Sequence, residues 1–126
     1  MVDGPVVLIV ADDLIWADRL VRAVSAAGAT PRRVGSGPSF ESALGEAEFA
    51  IVDLTARAYD GIATVERATA AGLRVLAVGQ HDDHELRGRA LAAGAERVLA
   101  YRKLFADGPA TIAAFLARDT SVPARP

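Results

Sequence analysis

Two places in the 126-residue sequence set carboxylates directly beside the end of an apolar run. Asp12 and Asp13 follow the run 6–10, and Asp53 closes the run 49–52. Carboxylates that converge at one edge of a sheet repel each other unless a cation neutralises them, and an oxygen-liganded ion such as Mg²⁺ is the usual solution. One carboxylate could then act as a nucleophile toward a phosphoryl group. Alternatively, these aspartates only cap helices and turns, although an acid that closes a buried run is costly without a partner.

The elements that would position these acids can be read from the hydrophobic pattern. Short β-branched or leucine-rich runs alternate with longer stretches of helical period, which is typical of a parallel sheet with crossover helices. The predicted strands are 6–10, 30–34, 49–54, 73–78 and 98–101, and the last helix is predicted to begin at 107–109. The fold predicted is α/β: a doubly wound, five-stranded parallel sheet of (βα)5, flavodoxin-like topology. Its site is expected where the carboxyl ends of the strands meet the following loops.

Composition narrows the class of protein. The chain is 24% charged and 52% hydrophobic with a net charge of −2, as in an ordinary globular domain. It has no cysteine, which excludes disulfides, cysteine zinc sites and thiol catalysis. Its weak acidity does not match a nucleic-acid binder, and no apolar run is long enough to span a bilayer. We therefore expect a cytoplasmic protein with one domain, residues 1–119, and a disordered tail or linker at 120–126.

The spacing of these residues resembles that of the receiver domain of bacterial two-component response regulators, from the first strand to the last helix. In the receiver pattern an acidic pair follows the first strand and a glycine ends the helix some sixteen residues later, matched by Asp12 and Gly28. The phosphoacceptor is followed eight residues later by the glycine of an Asp-Gly pair, matched by Asp53 and Gly61. The fourth helix of the pattern ends in Gly-Ala, matched by Gly94 and its neighbour.

The resemblance implies a phosphorelay signal-transduction module, with expectations for its site and partners. Asp53 would be the phosphoacceptor, and Asp12, Asp13, Asp53 and Thr55 would form a Mg²⁺ site. A protein partner is implied, either a sensor kinase or an output protein. A homodimer through the fourth helix, fifth strand and fifth helix is also implied. No direct contact with nucleic acid or membrane is expected, and no enzyme activity.

Several function-bearing positions of the receiver pattern are replaced here. Ala11 stands at the first acid, Gly79 at a hydroxyl residue, Val98 at the switch aromatic and Arg57 at a proline. Tyr101 stands at the lysine that pairs with the phosphoryl oxygens; it can donate a hydrogen bond but carries no charge, and a charge-assisted bond is roughly twice as strong. The sequence therefore favours an atypical pseudo-receiver that signals largely independently of phosphorylation. A phosphorylatable receiver with an altered switch is the alternative.

The single lysine of the chain leaves a structural question open. Of the 14 basic residues, 13 are arginine and one is Lys103, two positions beyond the lysine of the receiver pattern. On a regular strand Lys103 would lie about 6–7 Å beyond Tyr101. A two-residue bulge or insertion in the fifth strand would bring Lys103 to a phosphoryl group on Asp53. Otherwise Tyr101 takes its place.

Weaker signals have ordinary explanations. His81 and His84 stand among acids at the start of the fourth helix, where a solvated, capped helix end explains them as well as a metal site does. Gly35 and Gly37 lack the remaining residues of a phosphate loop and indicate a turn. Trp16 lies off the apolar face of the first helix, either exposed to a partner or half-buried over the site. A small flavodoxin-like enzyme or ligand binder would use the same crevice, but the sequence supplies no acid, base or cofactor motif for one.

Overall fold

The computed structural model describes residues 4–35, 38–57, 59–80 and 82–117. The tail predicted at 120–126, His81 and Gly37 lie outside these residues. The strands are β1 (Val6–Val10), β2 (Thr30–Val34), β3 (Phe49–Asp53), β4 (Arg74–Gly79) and β5 (Arg97–Ala100). The helices are α1 (Leu14–Ala26), α2 (Pro38–Ala43) with a 3₁₀ turn at Leu44–Glu46, α3 (Gly61–Ala70), α4 (His84–Ala92) and α5 (Tyr101–Ala117).

The five strands form one parallel sheet in the order β2-β1-β3-β4-β5. This confirms the predicted doubly wound α/β topology. β1 lies inside the sheet and is buried on both faces, as its continuous apolar sequence predicts. β2 is an edge strand, where Pro31 can be accommodated and Arg32 and Arg33 are exposed to solvent.

The core has two layers, one on each face of the sheet. On one face α1 and α5 contribute Leu20, Val24, Ile112 and Phe115. On the other face α2, α3 and α4 cover the sheet, and the buried residues include Phe40, Val65 and Ala90. Burial of each large apolar side chain contributes roughly 1.5–3 kcal/mol, so both layers are needed to hold the strand ends in place. None of the helices in the described ranges is long and apolar enough to cross a membrane.

Glycines end three of the helices, as the sequence pattern predicts. Gly28 has a φ of 91° and Gly94 a φ of 119°, which is left-handed backbone that glycine adopts without strain. At Gly94 a Cβ atom would also come within 2.5 Å of the Thr69 side chain. These glycines therefore have a local structural cause as well as a place in the receiver pattern.

The start of α5 differs from the prediction. β5 ends at Ala100 and the helix begins at Tyr101, so the loop expected between them is replaced by helical turns. The helix kinks at Asp107, where φ is −155° and ψ is 52°, shortly before Pro109. Proline cannot donate a main-chain hydrogen bond inside a helix, which explains a break at this point. A helical segment therefore begins after Asp107, as predicted at 107–109, and the helical turns from Tyr101 to the kink are an addition that the sequence did not predict.

Candidate functional site

A cleft of about 680 Å³ opens at the carboxyl edge of the sheet, beside the ends of β1 and β3. It is lined by Asp12, Asp13, Ile15, Trp16, Arg19, Asp53, Thr55, Arg57, Tyr101 and Phe105. The structure therefore brings the predicted acids, Thr55 and Tyr101 together at one cleft. The position agrees with the rule that parallel sheets place their sites at the carboxyl ends of the strands.

Asp53 is buried at the end of β3, with only 3% of its surface exposed. Its Oδ1 atom accepts hydrogen bonds from the Thr55 main-chain N–H at 3.0 Å and the Thr55 hydroxyl at 2.9 Å. The Tyr101 hydroxyl also donates to this oxygen and contacts the Thr55 hydroxyl. Within the described residues every donor to Asp53 is neutral. Hydrogen bonds, not a counter-charge, therefore compensate the burial of this acid.

Tyr101 reaches Asp53 because it is the first residue of α5, directly after the carboxyl end of β5. Burial raises the pKa of its phenol well above the usual value, and the hydrogen bond to Asp53 raises this pKa further. The phenol therefore keeps its proton through the physiological pH range. Tyr101 acts as a neutral donor at the position where the receiver pattern has a lysine.

Tyr59 stabilises the same edge of the sheet through hydrogen bonds to main-chain carbonyl groups. Its hydroxyl lies 2.6 Å from the carbonyl oxygen of Val10 and 2.8 Å from that of Asp53, and so links the ends of β1 and β3. Burial raises the pKa of Tyr59, and the charges of Asp53 and Asp12 raise it further. Sequence reasoning missed this residue. Its only signal was a large aromatic in a loop of otherwise small and polar residues.

Asp12 is held by the loop between β3 and α3. Its Oδ2 atom accepts a hydrogen bond from the main-chain N–H of Arg57 at 3.0 Å. A proline at position 57, as in the receiver pattern, has no N–H and could not make this bond. The replacement by Arg57 therefore ties the two sides of the cleft together.

Asp13 has a structural role in this arrangement. It is the N-cap of α1, and its carboxylate accepts the main-chain N–H of Trp16 at 2.9 Å. The part of the chain that the structure describes contains no group of three or more histidine or acidic side chains that could hold a metal ion. All three predicted acids border the cleft, and the Mg²⁺ site predicted at Asp12, Asp13, Asp53 and Thr55 stays a prediction.

The Asp-Gly pair that contributed to the resemblance has a packing explanation. Asp60 caps α3 through the main-chain N–H of Ala63 at 3.1 Å. A Cβ atom on Gly61 would lie 2.9 Å from the Cα of Leu54. Only glycine allows α3 to begin this close to the end of β3.

Three of the replaced positions lie inside the fold. Ala11, Gly79 and Val98 are all buried, and Val98 packs in the same core layer as α4. A Cβ atom on Gly79 would meet only the Leu54 side chain, at 3.5 Å and beyond. A hydroxyl side chain at position 79 is therefore sterically allowed, and the chain simply lacks one there.

The structure answers which residue reaches Asp53. β4 and β5 pair in regular register from Leu76–Arg97 to Gly79–Ala100, and this pairing contains no two-residue bulge. Lys103 lies exposed in the first turn of α5, while the Tyr101 hydroxyl contacts Asp53. The proposed phosphoryl contact of Lys103 therefore lacks the strand geometry on which it depended.

Trp16 takes the half-buried arrangement, at the rim of the cleft. Its ring packs edge-on against Tyr101, with centroids 4.6 Å apart, and against Phe105 at 6.2 Å. Such pairs contribute about 0.5–1.5 kcal/mol beyond burial. Trp16 thus holds the start of α5 against α1 and keeps Tyr101 over Asp53.

No protein-family profile matches this sequence, and no curated protein matches it. Many solved structures share its fold. A response regulator of the LuxR family from Aurantimonas sp. SI85-9A1 aligns with a TM-score of 0.76 and 19% identity, over 91% of this chain and 86% of that one. A two-component response regulator from Clostridium difficile aligns with a TM-score of 0.74 and 15% identity, over 91% and 98%.

A third structure, a response regulator from Burkholderia pseudomallei, contains a phosphorylated aspartic acid, a calcium ion and citrate. It aligns with a TM-score of 0.69 and 18% identity, over 90% of this chain and 74% of that one. At this level of identity the likeness establishes the fold. The chain has the receiver-domain fold of response regulators.

Proposed function

We propose that this chain is a protein-protein interaction module for signal transduction that works largely without phosphorylation of Asp53. The observation that carries the proposal is the cluster around Asp53 Oδ1, where Thr55 and Tyr101 supply every donor found among the described residues. An oxygen that accepts these bonds has its lone pairs engaged. It is a poor nucleophile until at least one donor moves away.

The lack of a positively charged donor to Asp53 among the described residues also supports the proposal. A phosphoryl group on Asp53 would add about 1.5 to 2 negative charges at pH 7. The neutral phenol of Tyr101 can offer it a hydrogen bond but no charge. Gly79, at the end of β4, has no side-chain hydroxyl to follow the phosphoryl group. A phosphorylated state is therefore weakly stabilised, and it lacks the side chains that would transmit it.

Metal binding is expected to be weak or absent for a related reason. Mg²⁺ is a hard ion that prefers carboxylate and carbonyl oxygens. Asp12 and Asp53 are the acids best placed for it, with Thr55 beside them, but Arg57 and Tyr101 already donate to these two carboxylates. An ion would have to displace bonds that the protein makes to itself.

The alternative is a phosphorylatable receiver that uses Asp53 with an altered switch. It is favoured by the position of Asp53 at the cleft, and the phosphorylated aspartate in the Burkholderia structure is an example within the same fold. In this reaction an Asp53 oxygen would form a bond to phosphorus as the bond from phosphorus to the donor's carboxylate breaks. Where that oxygen is Oδ1, the Tyr101 hydroxyl would have to turn away first, because it donates to this atom.

Intact mass measurement after incubation with Mg²⁺ and acetyl phosphate distinguishes the two. We expect no phosphoryl adduct on the wild-type chain, and an adduct on Tyr101→Lys, which restores a cation and removes the phenol. Asp53→Asn in the Tyr101→Lys background should abolish that adduct and so identify its position. A stable adduct on the wild-type chain that disappears in Asp53→Asn would overturn the proposal in favour of the alternative.

A second test concerns the partner surface. Asp53→Asn keeps an oxygen that can accept the bonds from Thr55 and Tyr101, so the fold should be unchanged. Binding to a sensor kinase or output protein should then also be unchanged. Loss of that binding with stability intact would count against a phosphorylation-independent module.

A further inference from the structure

A buried carboxylate and three aromatic rings border the same cleft. Asp53, which is 3% exposed, lines the cleft of about 680 Å³ at the carboxyl edge of the sheet. Trp16, Tyr101 and Phe105 line the same cleft, and we call these three rings the aromatic wall. Sites for small ligands have volumes of about 300–1,000 Å³ and combine apolar walls with a few polar groups. The cleft therefore has the size and the lining of a ligand site.

One oxygen of Asp53 remains available to a ligand. The hydrogen bonds from Thr55 and Tyr101 all reach Oδ1, and none of the described residues donates to Oδ2. Oδ2 is not one of the buried side-chain atoms that lack a partner, so it keeps access to the cleft. An opposite charge stabilises a buried carboxylate strongly, because little water screens the pair. A cation can thus pair with Oδ2 while the donors to Oδ1 stay in place.

The charges around the cleft also favour a cation. Its lining contains three acids, Asp12, Asp13 and Asp53, and two arginines, Arg19 and Arg57. The arginines and the first two acids are exposed, so water screens their charges, whereas Asp53 is buried. In the part of the chain that the structure describes, no ion pair joins either arginine to Asp53. The charge that lacks compensation is therefore negative.

The aromatic wall selects among cations. The guanidinium of Arg19 already lies 4.1 Å from the ring centroid of Phe105, so this wall accepts a planar cation. Trp16 packs edge-on against Tyr101 and Phe105 and holds the rings in place. A guanidinium is planar, less strongly hydrated than an ammonium, and suited both to stacking on aromatic faces and to pairing with a carboxylate. The lining therefore fits a guanidinium better than an ammonium.

A guanidinium also makes smaller geometric demands than a metal ion. Mg²⁺ requires a nearly octahedral set of oxygen ligands. The described ranges contain no group of three or more histidine or acidic side chains that could hold a metal ion. A guanidinium needs only one carboxylate oxygen and a flat apolar surface, and Asp53 and the aromatic wall supply both.

We propose that the cleft beside Asp53 is a binding site for a guanidinium group, which pairs with Oδ2 of Asp53 and lies against the aromatic wall. The group belongs either to a free guanidino compound or to an arginine side chain of another protein. Binding is measured on the unmodified chain and does not rest on the proposed function. A phosphoryl adduct from acetyl phosphate would overturn the proposed function alone, so the two proposals can fail separately.

Fluorescence of Trp16, the only tryptophan of the chain, provides the binding signal. Titration with N-ethylguanidinium chloride at constant ionic strength should give a saturable change. N-ethylurea, a neutral molecule of nearly the same shape, should give none. A wild-type chain that responds equally to both probes or to neither, or that responds more strongly to MgCl₂ at the same ionic strength, would overturn the proposal.

Two matched variants locate the site. Asp53→Asn removes the charge but keeps an oxygen, and it should raise the dissociation constant of N-ethylguanidinium at least about tenfold. Asp60→Asn is the control, because Asp60 caps α3 outside the cleft lining and asparagine is an equally good cap. It should leave the dissociation constant unchanged. Circular dichroism checks that both variants are folded. Equal affinities of Asp53→Asn and the wild type would contradict the pairing with Asp53.

A third variant tests the aromatic wall. Phe105→Leu keeps an apolar side chain without a ring and should weaken N-ethylguanidinium binding about two- to fivefold, as expected for loss of one cation–π contact near the surface. Leu91→Ala on α4, which is also an exposed apolar position, should not change it. A larger loss of affinity in Leu91→Ala than in Phe105→Leu would place the binding site elsewhere and overturn the proposal.

A peptide comparison distinguishes the two sources of the guanidinium. Acetyl-Gly-Arg-Gly-amide is titrated beside N-ethylguanidinium, with the citrulline peptide as its neutral control. Tighter binding of the arginine peptide would identify a protein side chain as the source, and tighter binding of N-ethylguanidinium a free compound. Equal binding of the arginine and citrulline peptides, with N-ethylguanidinium no better than N-ethylurea, would exclude a guanidinium site.

Discussion

Charged side chains lie at both edges of the sheet, partly buried at the amino edge and buried at the carboxyl edge, and their charges are compensated differently. At the amino edge Arg74 donates to both carboxylate oxygens of Glu96, at 2.6 and 2.9 Å, and to the carbonyl oxygen of Phe115 at 3.0 Å. Its guanidinium also packs over the rings of Phe49 and Phe115. At the carboxyl edge the buried carboxylate of Asp53 receives only neutral donors from the described residues, Thr55 and Tyr101 among them.

This difference distinguishes the Arg74–Glu96 pair, which stabilises the fold, from the carboxylate of Asp53, which lies at the candidate site. A buried ion pair compensates each partner's loss of hydration with the opposite charge and with hydrogen bonds. Hydrogen bonds alone leave a net negative charge beside the cleft. The charges at the amino edge therefore neutralise each other. At the carboxyl edge the charge of Asp53 is not neutralised by a cation among the described residues, and hydrogen bonds from neutral side chains and the main chain stabilise it instead.

The largest effect is expected at the amino edge. Arg74→Met would leave Glu96 partly buried without its counter-charge, and should lower the free energy of unfolding by about 2–3 kcal/mol. Urea unfolding measures this change. Arg67→Met is the matched control, because Arg67 pairs with Glu41 in the open and such pairs contribute about 0–1 kcal/mol. Equal losses of unfolding free energy in the two variants would remove the distinction between a partly buried pair and a surface pair.

Alkaline pH should act on the carboxyl edge through Tyr59 and Tyr101, the only tyrosines of the chain. In the unfolded chain a phenol ionises with a pKa near 10, whereas in the fold both pKa values are raised. Stability is therefore intact below about pH 10. Above it, stability falls by up to about 1.4 kcal/mol per pH unit for each tyrosine, because only the unfolded state releases the proton.

Urea unfolding at a series of alkaline pH values, with tyrosinate absorbance of the folded protein, measures this dependence. Tyr101→Phe should reduce the slope of the unfolding free energy against pH by the equivalent of about one proton, because all the other titrating groups are the same as in the wild type. Ordinary ionisation of both phenols near pH 10 in the folded protein would contradict the proposed burial.

Tyr101→Phe should lower stability by about 1–2 kcal/mol at neutral pH, because a hydrogen bond to a buried carboxylate is lost. The ring itself still packs against Trp16. Urea unfolding of the variant in an Asp53→Asn background provides the control. If the loss is the same with and without the carboxylate, the hydroxyl does not act through Asp53.

The smallest effect distinguishes a cap from a metal ligand at Asp13. Asp13→Ala should lower stability by about 1 kcal/mol, whereas Asp13→Asn should leave it nearly unchanged, because asparagine is an equally good N-cap. Thermal unfolding of both variants, with and without Mg²⁺, measures the difference. A loss of stability in Asp13→Asn that appears only when Mg²⁺ is present would indicate that Asp13 is a metal ligand.

The fold was predictable because its signals are local. The apolar run of β1, the polar composition of β2 and the glycines that end the helices each act within a few residues. They identified the five strands and the glycines, Gly28 and Gly94, that end two of the helices. The start of α5 was missed, because the residues from Tyr101 to the kink at Asp107 continue a strand pattern as readily as they begin a helix.

The site was predictable only in part. The sequence by itself placed Asp12, Asp13 and Asp53 at one edge of a parallel sheet, since the strand ends are set by local pattern. Which groups meet there depends on contacts between residues more than forty positions apart, such as Arg57 with Asp12 and Tyr101 with Asp53. Only the tertiary structure decided that these carboxylates are held by the chain's own neutral donors, because such contacts follow from how the loops and helices pack and leave no periodic signal.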